Sequence, residues 1–253
     1  MVFISASTGF LLQILVLTFT FGRDRNRMLS GRIFRRSAVV SAKLNPLWKF
    51  SLLGDAPRRL GPMVVVSNHC SHSDSFLISH VPWEMKWIGK SSLFRIPIVG
   101  WSMSLSGDIA LKRGERSSIE DTMAACKAYL SRGVPVILFP EGTRSETDEM
   151  LPFKDGAFRL AVEAGVPVLP IAVDGTRMAL PKHDWRFGGC TAMVTVGEPI
   201  STEGVDPENL EPLKMLARSR ITDLRDTIRV PSFAMGMLNC TDRRRLRHEM
   251  ELA

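Results

Sequence analysis

The stretch SNHCSHSDSF, Ser67–Phe76, holds two histidines, a cysteine and an aspartate. His69 stands five residues before Asp74. A carboxylate that accepts a hydrogen bond from one imidazole nitrogen leaves the other free to take a proton. An imidazole titrates at ~6.5 when unperturbed, and a paired carboxylate fixes its tautomer and raises its basicity, which suits general-base work at neutral pH. By spacing alone, an aspartate capping a helix beside a surface histidine is the commoner arrangement. A zinc site built on His69, Cys70 and His72 finds no matching pair downstream, because His80 and His183 are isolated. A serine nucleophile needs a strained G-x-S-x-G elbow, and GWSMS, Gly100–Ser104, lacks the last glycine.

Two more stretches carry residues suited to an anion. In LFPEGTRS, Leu138–Ser145, Gly142 allows close backbone approach, Arg144 offers a planar fork for phosphate, and Glu141 can orient that arginine or a substrate hydroxyl. In GDIALKRGERSS, Gly107–Ser118, Lys112 and Arg113 stand just before a helix start and read as a second anion cradle. Each basic pair taken singly is equally well a solvated loop. A base, a carboxylate and phosphate-suited cations on several such loops together form a site.

What positions these loops is an alternation of short apolar strands with helices. MVVVS, MKWIGK, DIAL, VPVILF, VPVLPIAV and TAMVTVG are the strand candidates. Ser117–Arg132 is expected as a helix with a Ser117/Glu120 capping box and an apolar face of Ile119, Met123, Cys126 and Leu130. Phe153–Glu163, closed by Gly165, is the second helix. Asp206-Pro207 opens a third that reaches about Arg229. The pattern predicts an α/β fold: a largely parallel mixed sheet flanked by helices, with ligands held by loops at the carboxyl ends of strands.

The chain has 253 residues and a formal charge of +7. Ten basic residues against two acidic ones between Gly22 and Leu60 give that segment +8, so the rest is near neutral. Charge pressed against one apolar segment points to an anionic membrane surface, and a nucleic-acid groove is set aside because aromatics are not interleaved with it. The apolar segment is Met1–Phe21, without a charged side chain. As a helix it would measure roughly 31 Å, about one hydrocarbon core. Ser5, Gly9, Gln13 and Thr20 form an imperfect polar stripe within about 80°, suited to helix–helix contact in lipid or to a helix lying in the interface. A buried core helix is the alternative. If the helix spans, the basic collar leaves the remainder on the cytoplasmic side. Pro46 should break the weaker apolar run Ser37–Leu53, and Trp48 is expected at headgroup level. The four widely spaced cysteines fit reduced thiols. The expected organisation is N-terminal membrane-associating helices over 1–53, an α/β domain over 54–230 and a mixed-charge tail over 231–253.

NHCSHSD, GDIALKR, FPEGTRS and VPVLPIAV, in this order and at these intervals, resemble the four blocks of the glycerolipid acyltransferases, and in particular the 1-acyl-sn-glycerol-3-phosphate (lysophosphatidic acid) acyltransferases. The resemblance covers about Gly54–Ile200. It implies an H-x4-D pair, His69 as base and Asp74 as its support, acting on the free hydroxyl of a lysophospholipid. The oxygen then attacks the thioester of acyl-CoA or acyl carrier protein. It further implies that Arg113, with Lys112 beside it, and Glu141, Gly142, Thr143 and Arg144 bind the acceptor's glycerol phosphate, and that Pro170 serves the acyl-donor side or packing. Neither a metal nor a cofactor beyond the acyl donor is implied. Cys70 and His72 fall at variable positions. Lys112 stands where an acidic residue is usual, which bears on head-group preference: another lysophospholipid, a lyso-aminolipid or glycerol phosphate are alternative acceptors. A membrane-anchored lipid-binding protein without turnover is a reading of a different class.

Overall fold

The computed structural model of the chain describes residues 2–20, 22–180 and 187–229. His183, Cys240 and the 231–253 tail lie outside them. Seven strands form one sheet in the order β1-β7-β6-β2-β5-β3-β4. They are β1 (Trp48–Leu53), β2 (Val64–Ser67), β3 (Lys86–Lys90), β4 (Ile109–Leu111), β5 (Val136–Leu138), β6 (Val168–Asp174) and β7 (Cys190–Val196). Every neighbouring pair is parallel except β6 with β7.

The central strands are apolar without interruption because both faces are covered. Val64 and Val66 join a core with α5 (Arg116–Leu130), α6 (Gly156–Ala164) and α7 (Glu211–Ile228). Val65, between them, joins the core on the other face with Leu77 and Ile78 of α3 (Asp74–Ile78). Pro170 is buried in β6 opposite Val66, and a Cβ on Gly197 would lie 3.1 Å from its ring.

Two N-terminal helices, α1 (Val2–Thr20) and α2 (Met28–Leu44), pack on one another and on α4 (Val99–Leu105). The polar stripe on α1 is the contact line. The Ser5 and Ser41 hydroxyls lie 2.5 Å apart, and a Cβ on Gly9 would sit 2.6 Å from that of Ser37. Gln13 is fully buried, with its amide nitrogen 3.0–3.3 Å from Ser30, Ser102 and Ser106 oxygens. Thr20 instead donates to Val16 of its own helix. The outer surface is apolar: Ile4, Leu11, Leu15 and Phe19 of α1 and Trp101 of α4 are exposed. Among the described residues no helix is long and apolar enough to cross a membrane.

Several expectations need correction. Trp48–Leu53 is a sheet strand hydrogen-bonded to β7, so it belongs with the α/β body. Trp48 is buried, stacked on Phe50 with ring centroids 5.0 Å apart, and is not a headgroup anchor. Arg35 of the basic collar turns inward, pairing with Asp108 and covering Trp87. Helix α5 starts at Arg116 without a side-chain cap: Glu120 pairs with Arg116 at 2.9 Å instead of closing a box. Ile119 is exposed, and Thr122, Cys126 and Leu130 form the buried face. Helix α6 starts at Gly156, three residues past Phe153. Helix α7 begins at Glu211, because the Asp206 carboxylate accepts the Glu208 N–H and makes a turn there.

Candidate active site

Strands β2, β4, β5 and β6 run in one direction, so their carboxyl ends share one edge. His69 follows β2 after a single residue. That residue, Asn68, is buried and pairs through both ends of its amide with the backbone of Val173 in β6, at 2.8 and 2.9 Å. The strand end is thus held in register before the loop begins.

His69 and Asp74 meet. The imidazole Nδ1 lies 2.7 Å from Asp74 Oδ2. The same oxygen accepts the backbone N–H groups of Cys70 at 2.9 Å and Ser71 at 3.0 Å, and the carboxylate is fully buried. Asp74 therefore does not cap α3, whose preceding Ser73 makes no side-chain cap either. It draws the 69–71 loop back on itself and holds the ring nitrogen in the same fold. The Phe139 ring stacks on the imidazole, 4.0 Å between centroids and 18° between planes. With Nδ1 occupied as a donor, Nε2 is the acceptor, and among the described residues no hydrogen bond is made to it.

The loop after β5 arrives beside this pair. Glu141 is buried, and its two oxygens accept the N–H groups of His69 and Leu151, each at 2.7 Å. The Ser145 N–H donates to the His69 carbonyl at 2.8 Å. Glu141 was expected to contact substrate or arginine; here its carboxylate is spent on backbone. Gly142 has φ +71°, and a Cβ there would lie 2.9 Å from Lys154 Nζ. Lys154 is thus a cation over the glycine turn that sequence reading missed, though its place just before a helix could have suggested it. Thr143 is exposed. Arg144 is half-buried, and burial is the first force lowering its guanidinium; Asp74 opposes that effect and Arg113 adds to it. Arg113 is therefore close enough to Arg144 for their charges to repel. Lys112 is exposed and held by Glu115 at 3.2 Å, which keeps its ammonium on the surface.

His72 lies within charge range of Arg144, His69 and Asp74. Crowding by surrounding protein, then Arg144 and His69, lowers its basicity; water at its exposed edge tempers that drop without reversing it. Burial and Asp74 push the Cys70 thiol far above its ordinary range, so it is a thiol at neutral pH. Among the described residues no group of three or more His, Cys, Asp or Glu side chains could hold a metal ion.

A base with one open nitrogen, held by a buried carboxylate within charge range of Arg144, which Arg113 faces in turn, fits the four-block resemblance. A family model for acyltransferases matches residues 52–174. A 1-acyl-sn-glycerol-3-phosphate acyltransferase of Chlamydomonas reinhardtii is 39% identical over 169 residues, 66% of this chain and 49% of that protein. Over residues 52–174, just under half of its length, the chain carries the acyltransferase-family pattern. The human 1-acyl-sn-glycerol-3-phosphate acyltransferase alpha is 36% identical to this chain over 156 residues, 60% of the chain and 54% of the relative. The Haemophilus influenzae 1-acyl-sn-glycerol-3-phosphate acyltransferase is 28% identical over 86% of the chain and 92% of its own length. The chain spans about half the length of the plant, algal, yeast and animal relatives it matches. The crystal structure of the 1-acyl-sn-glycerophosphate (LPA) acyltransferase PlsC from Thermotoga maritima superposes with a TM-score of 0.67, at 24% identity, over 92% of this chain and 100% of that chain. That likeness establishes the fold.

Proposed function

We propose that this protein moves a fatty acyl group from acyl-CoA or acyl carrier protein to the sn-2 hydroxyl of 1-acyl-sn-glycerol-3-phosphate, giving phosphatidic acid, with His69 as general base. The observation that carries the reading is the Nδ1 contact of His69 with Asp74 at 2.7 Å, which leaves Nε2 open. In the proposed step Nε2 takes the acceptor's hydroxyl proton as its oxygen bonds to the thioester carbon. The C–S bond then breaks, and the departing thiolate recovers the proton from the imidazolium. Asp74 supports the charge that forms on the ring and is not itself protonated. Arg144 and Arg113 suit the acceptor phosphate, because a guanidinium fork matches its oxygens.

The exposed apolar face of α1 and α4 fits a lipid surface, where acceptor and acyl chain both reside. Docking there would bring the site to its substrates without a spanning helix.

The test is an acceptor panel with one labelled acyl-CoA, run on the wild type and His69→Ala together. His69→Ala should lose at least ~100-fold, the usual scale for removing a general base. Full acyl transfer by His69→Ala would remove His69 as the base, and no turnover by the wild type on any acceptor would leave a lipid-binding protein. Lysophosphatidic acid as the poorest acceptor would keep the reaction and discard this acceptor.

A further inference from the structure

The Asp74 carboxylate has a fourth partner, distant in sequence. The Thr176 hydroxyl donates to Asp74 Oδ1, the oxygen that His69 does not use. Thr176 is fully buried and lies two residues past the end of β6. Gly175 is what delivers it. Its φ is +87°, and a Cβ there would stand 2.2 Å from the Thr191 carbonyl of β7. Only a glycine lets the chain turn this tightly against the neighbouring strand and bring the next side chain beneath Asp74. The Thr176 carbonyl is also used, accepting the Ser73 hydroxyl at 3.3 Å and the Ala179 N–H at 2.9 Å.

The protons can be assigned. An ionised carboxylate only accepts, so Thr176 must spend its single hydroxyl proton on Asp74. Its oxygen lies 3.2 Å from Cys70 Sγ. Cys70 is held as a thiol, so the S–H donates to that oxygen. A chain of donors therefore runs from Cys70 to Thr176 to Asp74, and the other carboxylate oxygen faces His69 Nδ1. Such chains polarise one another in a buried setting. The two oxygens have separate duties: Oδ2 takes the His69 ring and the loop N–H groups, and Oδ1 takes the threonine.

From this geometry we infer that Thr176 is a positioning residue of the acyl-transfer site, locking the Asp74 carboxylate in the rotamer that orients His69. The inference rests on the proposed role of His69 as base. Thr176 touches no reacting atom in this scheme. Without it, Oδ1 is a buried acceptor with no donor but the distant Cys70 thiol, 3.9 Å away. The carboxylate would then lose one of the contacts that fix its rotamer while still facing the ring, and its less-quenched charge would hold the protonated imidazole more tightly. Arg144, His72, Glu141, Arg225 and Asp174 surround the pair and keep their own contacts, while the Cys70 thiol loses the threonine oxygen as its acceptor.

The experiment compares wild type, Thr176→Val, Thr176→Ser and His69→Ala in the full chain, with steady-state kinetics across pH and a thermal melt for each. Thr176→Val keeps the shape and removes the donor. It should lower kcat about 10- to 100-fold, the scale of a lost hydrogen bond to a charged group. KM for both substrates should stay within about twofold. The acid limb of kcat/KM should move to higher pH, and Thr176→Ser should restore both rate and profile. If Thr176→Val does not melt as a folded protein, Thr176→Ala is read by the same criteria. Wild-type kcat in the Val or Ala variant overturns the inference. So does a lowered kcat with an unmoved pH profile, or failure of Ser to rescue. If His69→Ala is as active as wild type, the general-base reading has failed; if only the Thr176 variants are wild-type, that reading stands and this one falls.

Discussion

Glu141 ties His69 to Leu151, with one carboxylate oxygen 2.7 Å from each backbone N–H. The loop after β2 and the loop after β5 are thereby joined beneath the imidazole. Glu141→Gln keeps the volume but turns an NH2 group toward one of those two N–H donors. It should cost about 10-fold or more in kcat with little change in KM, since a buried donor is left without an acceptor. Steady-state kinetics decide: a change confined to the acceptor KM would return Glu141 to a substrate contact.

The arginines should act on the phosphate and not on the proton. Arg113→Ala and Arg144→Ala should raise KM for a phosphorylated acceptor at least ~10-fold, the scale of a charge-assisted hydrogen bond. An uncharged lysolipid should lose far less. Arg113 and Arg144 repel one another when the site is empty. A phosphate between them relieves that, so the double variant should lose less than the sum of the singles. Equal losses on charged and uncharged acceptors would remove both residues from the phosphate.

Glu84 gives the fold a pH dependence. It is fully buried against Gly31 of α2, with Lys86 Nζ 3.5 Å away, and burial raises its carboxyl to about 7 despite Arg35 and Lys86. The folded state therefore binds a proton that the unfolded chain releases near 4.5. Stability from this group is full below that lower value and is lost as pH rises through about 7. In melts between pH 5 and 8 the wild type should lose more stability with rising pH than Glu84→Gln does; the lowered basicity of His72 and His80 pulls both proteins the opposite way. That difference should hold whatever the substitution does to the absolute melting temperature. Equal slopes would show that another group governs the pH dependence.

The apolar outer face of α1 should decide attachment to lipid. Leu11 and Leu15 are 65% and 54% exposed. Leu11→Glu with Leu15→Glu should weaken partition onto anionic vesicles at least ~10-fold, because each leucine is worth about 1.5–3 kcal/mol on burial. Activity on a short-chain, water-soluble acceptor should be retained. Vesicle co-sedimentation unaffected by the pair would place the docking surface elsewhere.

The local arrangements were legible in the sequence. His69 and Asp74 are five residues apart, so one loop can close them, and the apolar runs VVV and VPVLPIAV announced strands covered on both faces. The α1 stripe of Ser5, Gly9 and Gln13 also announced a helix contact, though not its partners. Where sequence and structure part, a nearby competitor usually won. Ser117 gave no cap because the helix starts a residue earlier, and Trp48 left the interface because β1 found an edge beside β7.

The chain's order of residues by itself settled the alternation of strands and helices, and with it the edge on which the loops meet. It also settled the histidine and aspartate that one short loop can join. Only the tertiary structure decided that Glu141 grips backbone rather than substrate, that Arg35 faces inward, and that Thr176 lies beneath Asp74. Those contacts span 72, 73 and 102 residues. Their partners are chosen by strand order in the sheet and by the need of every buried charge and donor for a mate, neither of which is written in the spacing of neighbouring residues.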